Sequence, residues 1–299
     1  MTETRDALTA DLLASGRFPA PGTAVTCAVS GGADSLALLV LAVAAGCEAT
    51  AIHVDHGLRP GSASEADRVR AAAEQLGTAF RAERVVVAPG PNLEARARAA
   101  RYGVLPADAL LGHTADDQAE TVILQLLRGC GIDGLAAMRP DDRRPILALR
   151  RHETVALSAA WGLQPFEDPS NREPRFQRNR VRREVLPLLD DIAQRDVVPL
   201  LVRLADHARQ ASDHLRAEAG ALDPVDARQL AAAPGPLAAV AVREWLRAIE
   251  PESHPPDAAT VDRVLAVARL EAAGTDVGAG WRVTRSAGRL RLDPPPPSA

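Results

Sequence analysis

Residues 30–35 read Ser30-Gly31-Gly32-Ala33-Asp34-Ser35, and their setting decides the fold. They follow an apolar, partly β-branched run, Ala24-Val25-Thr26-Cys27-Ala28-Val29. They precede Leu36-Ala37-Leu38-Leu39-Val40-Leu41-Ala42, which has no Gly or Pro and suits a buried helix. The order is strand, tight loop, helix. A short glycine loop that opens a helix presents several backbone N–H groups without intrahelical acceptors, and the helix dipole adds positive potential there. Such a place takes a phosphate or pyrophosphate. Gly31 and Gly32 let the backbone approach an anion with no Cβ in the way, and Ser30 and Ser35 add hydroxyl donors. A Walker loop is excluded, because GxxxxGK[ST] needs a lysine and all 35 basic side chains here are arginine. The dinucleotide fingerprint GxGxxG is absent from the stretch as well.

Outward from this loop, strands and helices alternate. Gly46 ends the first helix. Residues 49–54 read as a second strand running into Asp55-His56-Gly57-Leu58-Arg59, 62–76 as a helix, 80–87 as a third strand, and 92–102 as an arginine-rich helix. Residues 109–112 form a short fourth strand, and His113-Thr114 opens a helix over 115–127. This alternation predicts an α/β fold, a parallel sheet with helices on both faces, in which a ligand lies at the carboxyl ends of the strands. Those ends carry Ser30, Asp55-His56 and His113. Further along, helices are expected over 153–161 and 178–189, the latter interrupted by Pro187. Residues 195–270 are alanine-rich and helical, broken at Asp223-Pro224, Pro234-Gly235-Pro236 and His254-Pro255-Pro256. A terminal strand pair, 277–283 and 288–292, closes the chain before a proline tail. The division expected is a catalytic domain over 1–192 and a smaller, mostly helical domain over 193–299.

Composition narrows the function. Net charge is −4, so a nucleic-acid surface would have to be a local patch. Arg172, Arg175, Arg178, Arg180, Arg182 and Arg183 supply one, with Phe176 and Asn179 among them. Arginine binds phosphate bidentately, which suits an RNA backbone, although a charge run also fits a plain solvated helix face. Cys27, Cys47 and Cys130 fit neither CxxC nor zinc spacing. With no secretory signal and no apolar run long enough to span a bilayer, a reducing cytoplasm and no membrane partner are expected.

Two further strings carry chemistry. Asp55 and His56 follow a strand end, where Asp55 could order a nucleotide or a magnesium ion and His56 could face the phosphates, although a polar turn closed by Gly57 also accounts for them. In His113-Thr114-Ala115-Asp116-Asp117-Gln118-Ala119-Glu120 the three carboxylates sit at spacings of three and four, which makes them neighbours on a helix. The helix dipole alone favours acids in a first turn, but it does not ask for the histidine or the third acid. The cluster can hold Mg²⁺ beside ATP phosphates or bind a cationic amine and take its proton. Arg96, Arg98 and Arg101 follow Glu94 on one helix, where a Glu94–Arg98 pair and a phosphate-facing arginine are both compatible with the spacing.

The phosphate loop resembles the SGGxDS loop of the PP-loop ATP pyrophosphatases. With DHGLR at 55–59, EARARAARY at 94–102, GHTADDQAET at 112–121, RPIL at 144–147 and EDPSN at 167–171 followed by RNRVR, the chain is similar to the tRNA(Ile)-lysidine synthase family. That resemblance implies ATP-dependent ligation of lysine to C2 of the wobble cytidine in a CAU anticodon, through an adenylated cytidine, with release of AMP and pyrophosphate. It implies ATP at Ser30, Gly31, Gly32, Ala33, Asp34, Ser35, His56 and His113, and Mg²⁺ at Asp34 and Asp117. Asp34, Asp117, Glu120, Arg98 and Arg182 would be catalytic, and Arg175, Arg178, Arg180 and Arg183 would meet tRNA. Free lysine, tRNA(Ile) and a second copy of the chain are the expected partners. Longer relatives carry a further carboxy-terminal tRNA-binding domain; here about a hundred residues follow the catalytic part, expected to contact tRNA by contacts that are reduced or differently arranged. The rival readings are a tRNA thiolase of the same superfamily, for which paired cysteines are missing, and a nucleotide-binding module without chemistry, which would not need the acidic cluster.

Overall fold

The computed structural model describes residues 2–55, 62–86, 93–166, 173–249 and 256–295. The chain divides into two compact units, 1–206 and 207–299. The change of sequence pattern was placed at 192/193; the division by packing falls inside a helix, α10 (Val198–Ala219).

In the first unit, α1 (Thr2–Ser15) leads to β1 (Ala24–Ala28), α2 (Ala33–Ala44), β2 (Glu48–Asp55), α3 (Ser62–Gln75), β3 (Ala79–Arg84), α4 (Leu93–Val104), β4 (Leu110–Leu111) and α5 (Ala115–Leu127). The sheet order is β3-β2-β1-β4, all parallel, with Cys27 of β1 opposite Ala51 on one side and Leu110 on the other. Side chains alternate across it as a strand dictates. Val25, Cys27, Val29, Ala49 and Ala51 join the core formed with α2, while Ala28, Ile52 and Val54 join Tyr102, Leu105 and Leu111 on the opposite face. Helix α2 is buried from Ser35 to Ala42, which explains its unbroken apolar sequence. Leu12 of α1, Val69 of α3 and Leu157 of α7 (Arg151–Ala160) pack into the same core. Each such leucine contributes roughly 1.5–3 kcal/mol by leaving water.

The chain reverses its direction of sheet growth between β1 and β4, and the site lies there. Such a switch point leaves a crevice outside the strand ends. His53, buried within β2, braces it: its Nδ1 lies 2.9 Å from the carbonyl oxygen of Val29, the residue before the phosphate loop. Gly112 closes the other side. A Cβ there would lie 2.9 Å from the carbonyl oxygen of Asp34 and 3.0 Å from Cα of Ser35, so the loop after β4 touches the start of α2 backbone to backbone.

Pro187 does not interrupt its helix. The chain runs α8 (Gln177–Arg180), a π-helical turn (Val181–Val185) and α9 (Leu186–Ala193) without a break. The wide turn takes up the strain: the N–H of Leu186 reaches back to the Val181 carbonyl, five residues away, and Pro187 falls in the first turn of α9, where its missing N–H costs little. Between α5 and α7, α6 (Ile132–Leu135) is a single turn.

In the second unit, α11 (Ala227–Ala232), α12 (Gly235–Ile249) and α13 (Ala258–Ala268) stand where the proline breaks allow; His254 and Pro255 lie outside the described residues. The expected terminal strand pair is a trio, β5 (Gly274–Gly278), β6 (Trp281–Ser286) and β7 (Arg289–Asp293), antiparallel in that order. The strand expected over 277–283 is cut by a turn at Ala279-Gly280, and Ala287-Gly288 makes a second. All four residues have positive φ, between 47° and 80°, as the tight hairpin turn of this hand requires. Alanine at the first turn position is a weak signal, which hid the first hairpin. Val283 and Leu290 pack this sheet on α13.

Gly112→Ala is expected to destabilise the protein by about 1–3 kcal/mol in urea unfolding and to weaken ATP binding, because backbone must move. Unchanged stability and ATP affinity would show that the contact at Asp34 yields freely.

Candidate functional site

One cavity of about 920 Å³ opens at the carboxyl ends of β1, β2 and β4. Its inner end is apolar, with Ala28, Ile52, Val54, Tyr102, Leu105 and Leu111. Ser30, Gly32, Asp34, Ser35, His113 and Asp117 line a polar stretch, and Phe166, Phe176, Arg151, Arg178, Arg182 and Arg183 line the remainder.

The loop over 30–35 is self-braced. The Ser30 N–H donates to Ser35 Oγ at 3.2 Å, and Ser35 Oγ donates to the Gly32 carbonyl at 2.8 Å. Gly31 turns with φ +86°, a conformation that favours glycine, and its carbonyl accepts the N–H of Phe166 at 2.8 Å. Gly32 is the N-cap of α2 in extended conformation, so the N–H groups of Ala33, Asp34 and Ser35 begin the helix without intrahelical acceptors. The serine hydroxyls thus first shape the loop, and the backbone is what it presents to an anion.

Asp34 leaves the first turn of α2 for the polar stretch. It accepts the Thr154 hydroxyl and lies 3.4 Å from Arg151 Nε. From α5, Asp117 turns one carboxylate oxygen back to the helix start, accepting the Thr114 N–H at 2.9 Å and the Thr114 hydroxyl at 3.1 Å. Its other oxygen meets Arg151 Nη2 at 3.0 Å and Arg178 Nη2 at 3.1 Å. Glu120, one turn on, is fully buried. It accepts Arg182 Nε at 2.6 Å, Arg178 Nε at 2.7 Å and Arg151 Nη1 at 3.1 Å. Three carboxylates and three guanidiniums therefore form one network, drawn from α2, α5, α7, α8 and the π turn.

Asp116 is not the third carboxylate of that network, as the local spacing suggested. It accepts the Arg151 N–H at 2.8 Å and Arg150 Nε at 3.1 Å, and so holds the start of α7. Asp34 takes its place. Arg151 was missed altogether: its sequence surroundings read as a helix start, and only the fold brings it to Asp34, Asp117 and Glu120. Arg178, expected to face RNA, is turned inward onto Asp117 and Glu120. Arg182 stands beside it on the same two carboxylates. Arg175 and Arg180 are exposed, paired with Glu173 and Glu184. Arg183 is exposed at the cavity. His113 lines the cavity. His56 lies outside the described residues, as does the side chain of Arg98 on α4.

Burial opposes ionisation of both aspartates, with opposite net results. At Asp117 the burial is outweighed by Arg151, Arg178, the Thr114 N–H and His113, and the carboxyl is held below the usual range. At Asp34 burial prevails over the Thr154 hydrogen bond and Arg151, with Asp117 adding to it, and the carboxyl is raised. The pair therefore has room for more positive charge at Asp34. Among the described residues no group of three or more His, Cys, Asp or Glu is placed to hold a metal by itself. Mg²⁺ needs only one or two carboxylates beside phosphate oxygens, and Asp34 with Asp117 fits that demand.

Arg151→Met removes a guanidinium from three carboxylates, one of them fully buried, and is expected to cost about 3–5 kcal/mol in urea unfolding. A loss below 1 kcal/mol would show that Arg178 and Arg182 suffice. Because the folded Asp117 carboxyl is depressed, its stabilisation is full above the ordinary aspartate range and is lost as pH falls through the folded value. The stability difference between wild type and Asp117→Asn is therefore expected to hold at neutral pH and vanish in strong acid. A difference that is independent of pH would remove the charge from the explanation.

Comparison with known proteins agrees with this geometry. Residues 5–189 match the family model described as a PP-loop domain. Over 245 residues the chain is 46% identical to a tRNA(Ile)-lysidine synthase of Nocardia farcinica, covering 77% of each chain. It is 43% identical to that of Rhodococcus erythropolis, covering 76% of this chain and 74% of the relative. Among solved structures, the U34-tRNA thiolase NcsA from Methanococcus maripaludis, with its [4Fe-4S] cluster, superposes with a TM-score of 0.53 at 17% identity, over 69% of this chain and 78% of its own; that likeness is one of fold. With a glycine cradle at the switch point of a parallel sheet, a PP-loop match over residues 5–189 and relatives 43–46% identical over 245 residues, this chain is a member of the tRNA(Ile)-lysidine synthase family of PP-loop proteins.

Proposed function

We propose that the chain joins lysine to the wobble cytidine of tRNA(Ile) bearing CAU, using ATP. The observation that carries this reading is one cavity with a place for an anion and a place for a cation side by side. The start of α2 suits a triphosphate, and Asp117, which lines the cavity with the buried Glu120 behind it in the same network, suits an ammonium group. In the first step the cytosine C2 oxygen attacks the α-phosphorus and pyrophosphate leaves. In the second, a lysine amine attacks C2, loses a proton, and AMP leaves with the oxygen. Asp117, held ionised by its arginines, is suited to fix the amine. Arg182 and Arg178 line the same cavity and would act on charge that builds on the departing phosphates, since fixed donors of that kind act strongly in a partly dry site. The apolar end of the cavity, at Ile52, Val54 and Tyr102, suits the adenine. Asp34 and Asp117 would hold Mg²⁺, which when bound supplies neutralising charge on the phosphates.

Arg175, Arg180 and Arg183 are the exposed members of the basic segment and would meet the RNA backbone. The thiolase reading finds no support in the cysteines. Cys27 is buried in β1, its thiol pushed up to about 12 by burial with a small addition from Cys47, and the thiols of Cys47 and Cys130 are raised as well. Raised thiols make poor nucleophiles at neutral pH. Cytoplasmic residence fits a tRNA-modifying activity, and among the described residues no helix is long and apolar enough to cross a membrane.

Labelled lysine is expected to enter unmodified tRNA(Ile) with CAU, dependent on ATP, and not a variant with another wobble base. Label in neither RNA would refute the reading. Asp117→Asn is expected to lower incorporation by at least about a hundredfold, the scale of a lost charge contact at a reacting centre, while tRNA is still retained on a filter. Undiminished turnover would take Asp117 out of the reaction.

A further inference from the structure

We infer that Phe176 is the surface on which the target base stacks when it leaves the anticodon loop. The inference rests on the reading that the substrate is a wobble cytidine. Aromatic side chains are scarce in this chain, with four Phe, three Trp and one Tyr, yet Tyr102, Phe166 and Phe176 all line this cavity. The others whose packing is plain serve cores: Phe18, Phe80 and Trp161 in the first unit, Trp245 in the second. Tyr102 packs with Leu105 and Leu111 beneath the sheet end. Phe166 covers the phosphate loop through its backbone bond to Gly31.

Phe176 has neither duty. It is half-buried and belongs to none of the hydrophobic clusters among the described residues. It is the N-cap of α8, two residues before Arg178, whose guanidinium reaches Asp117 and Glu120. Phe176 and Asp117 line the same cavity, so a base on this ring would share it with the carboxylate proposed to hold the amine. The Arg175 guanidinium lies over the ring, 4.7 Å from its centroid, so one face already carries a cation and a base would stack on the opposite one. Proteins that do chemistry on a base take it out of its stack, and an aromatic face repays part of that loss. Stacking is tolerant of base identity, so Phe176 positions the cytosine and other groups must choose it.

The test is steady-state lysine incorporation by the full chain carrying Phe176→Ala, Phe176→Leu or Phe176→Tyr, with melting temperature as a check on folding. Ala and Leu are expected to raise the KM for tRNA by about ten- to a hundredfold, the range of one lost base stack, and to leave the KM for ATP and for lysine within about twofold of wild type. Tyr is expected to restore the KM for tRNA. Leu performing as well as Phe would reduce the ring to an apolar filler, and a parallel rise in the KM for ATP would put it on the nucleotide's side; either result overturns the inference. Should the variants melt early, wild-type protein and an anticodon stem-loop with pyrrolocytosine at the wobble position decide. Quenching of the pyrrolocytosine fluorescence on binding is expected, and unchanged fluorescence in the bound state contradicts the inference. Failure of the lysidine reading would look different, since wild-type protein would then put lysine into no tRNA.

Discussion

The constraint on which the site depends is the burial of Glu120. A carboxylate taken wholly out of water costs several kcal/mol unless opposite charge and hydrogen bonds replace the lost solvent. Arg151, Arg178 and Arg182 replace it, the first from α7 and the other two from one helical segment. Because none of the three can leave without stranding a charge, the start of α7 and the basic segment over 178–182 are fixed against α5. Asp117 is held in the same way, and Asp34 is drawn in through Arg151. The network thus does two things at once. It ties the helices beyond the sheet to the phosphate loop, and it holds the Asp117 carboxyl below its usual range at the place proposed for a cationic substrate.

The sheet supplies the other half of the arrangement. Reversal of sheet growth at β1 and β4 leaves a crevice above the strand ends, and the start of α2 points into it. Gly112 brings the loop after β4 within contact of Asp34, so the anion site on α2 and the cation site on α5 become neighbours across one glycine. In the proposed reaction the base activated at the first site is attacked by the amine from the second, and that closeness serves it, since orientation of reactants is worth several kcal/mol of barrier.

Most of this sheet was legible because its signals are local. Alternating apolar runs, the glycine loop and the polar strand ends at Ser30 and His113 follow from short-range rules, and α5 begins and ends at Ala115 and Leu127 as read. The acids at 117 and 120 were legible for the same reason: a helix makes neighbours of residues three apart. Arg151 was not, because its partners are about thirty and more than a hundred residues away in sequence, and no periodicity speaks of that. Arg178 and Arg182 could be read as basic but not as inward-facing, since a charge run says nothing of which side is solvated. Pro187 misled because a break was the simple expectation, and the π turn before it supplied another way through. The hairpin at Ala279-Gly280 hid behind an alanine in a conformation that asparagine would have announced.

The account stands on one spatial claim: the amine site and the triphosphate site share a single cavity. The most direct measurement is a crystal structure of the full chain with a non-hydrolysable ATP analogue, Mg²⁺ and lysine. The account predicts phosphate oxygens on the backbone N–H groups at the start of α2 and a lysine ammonium within hydrogen-bond distance of Asp117 or Glu120. Lysine bound away from those carboxylates, or phosphates held elsewhere than at residues 30–35, would contradict it.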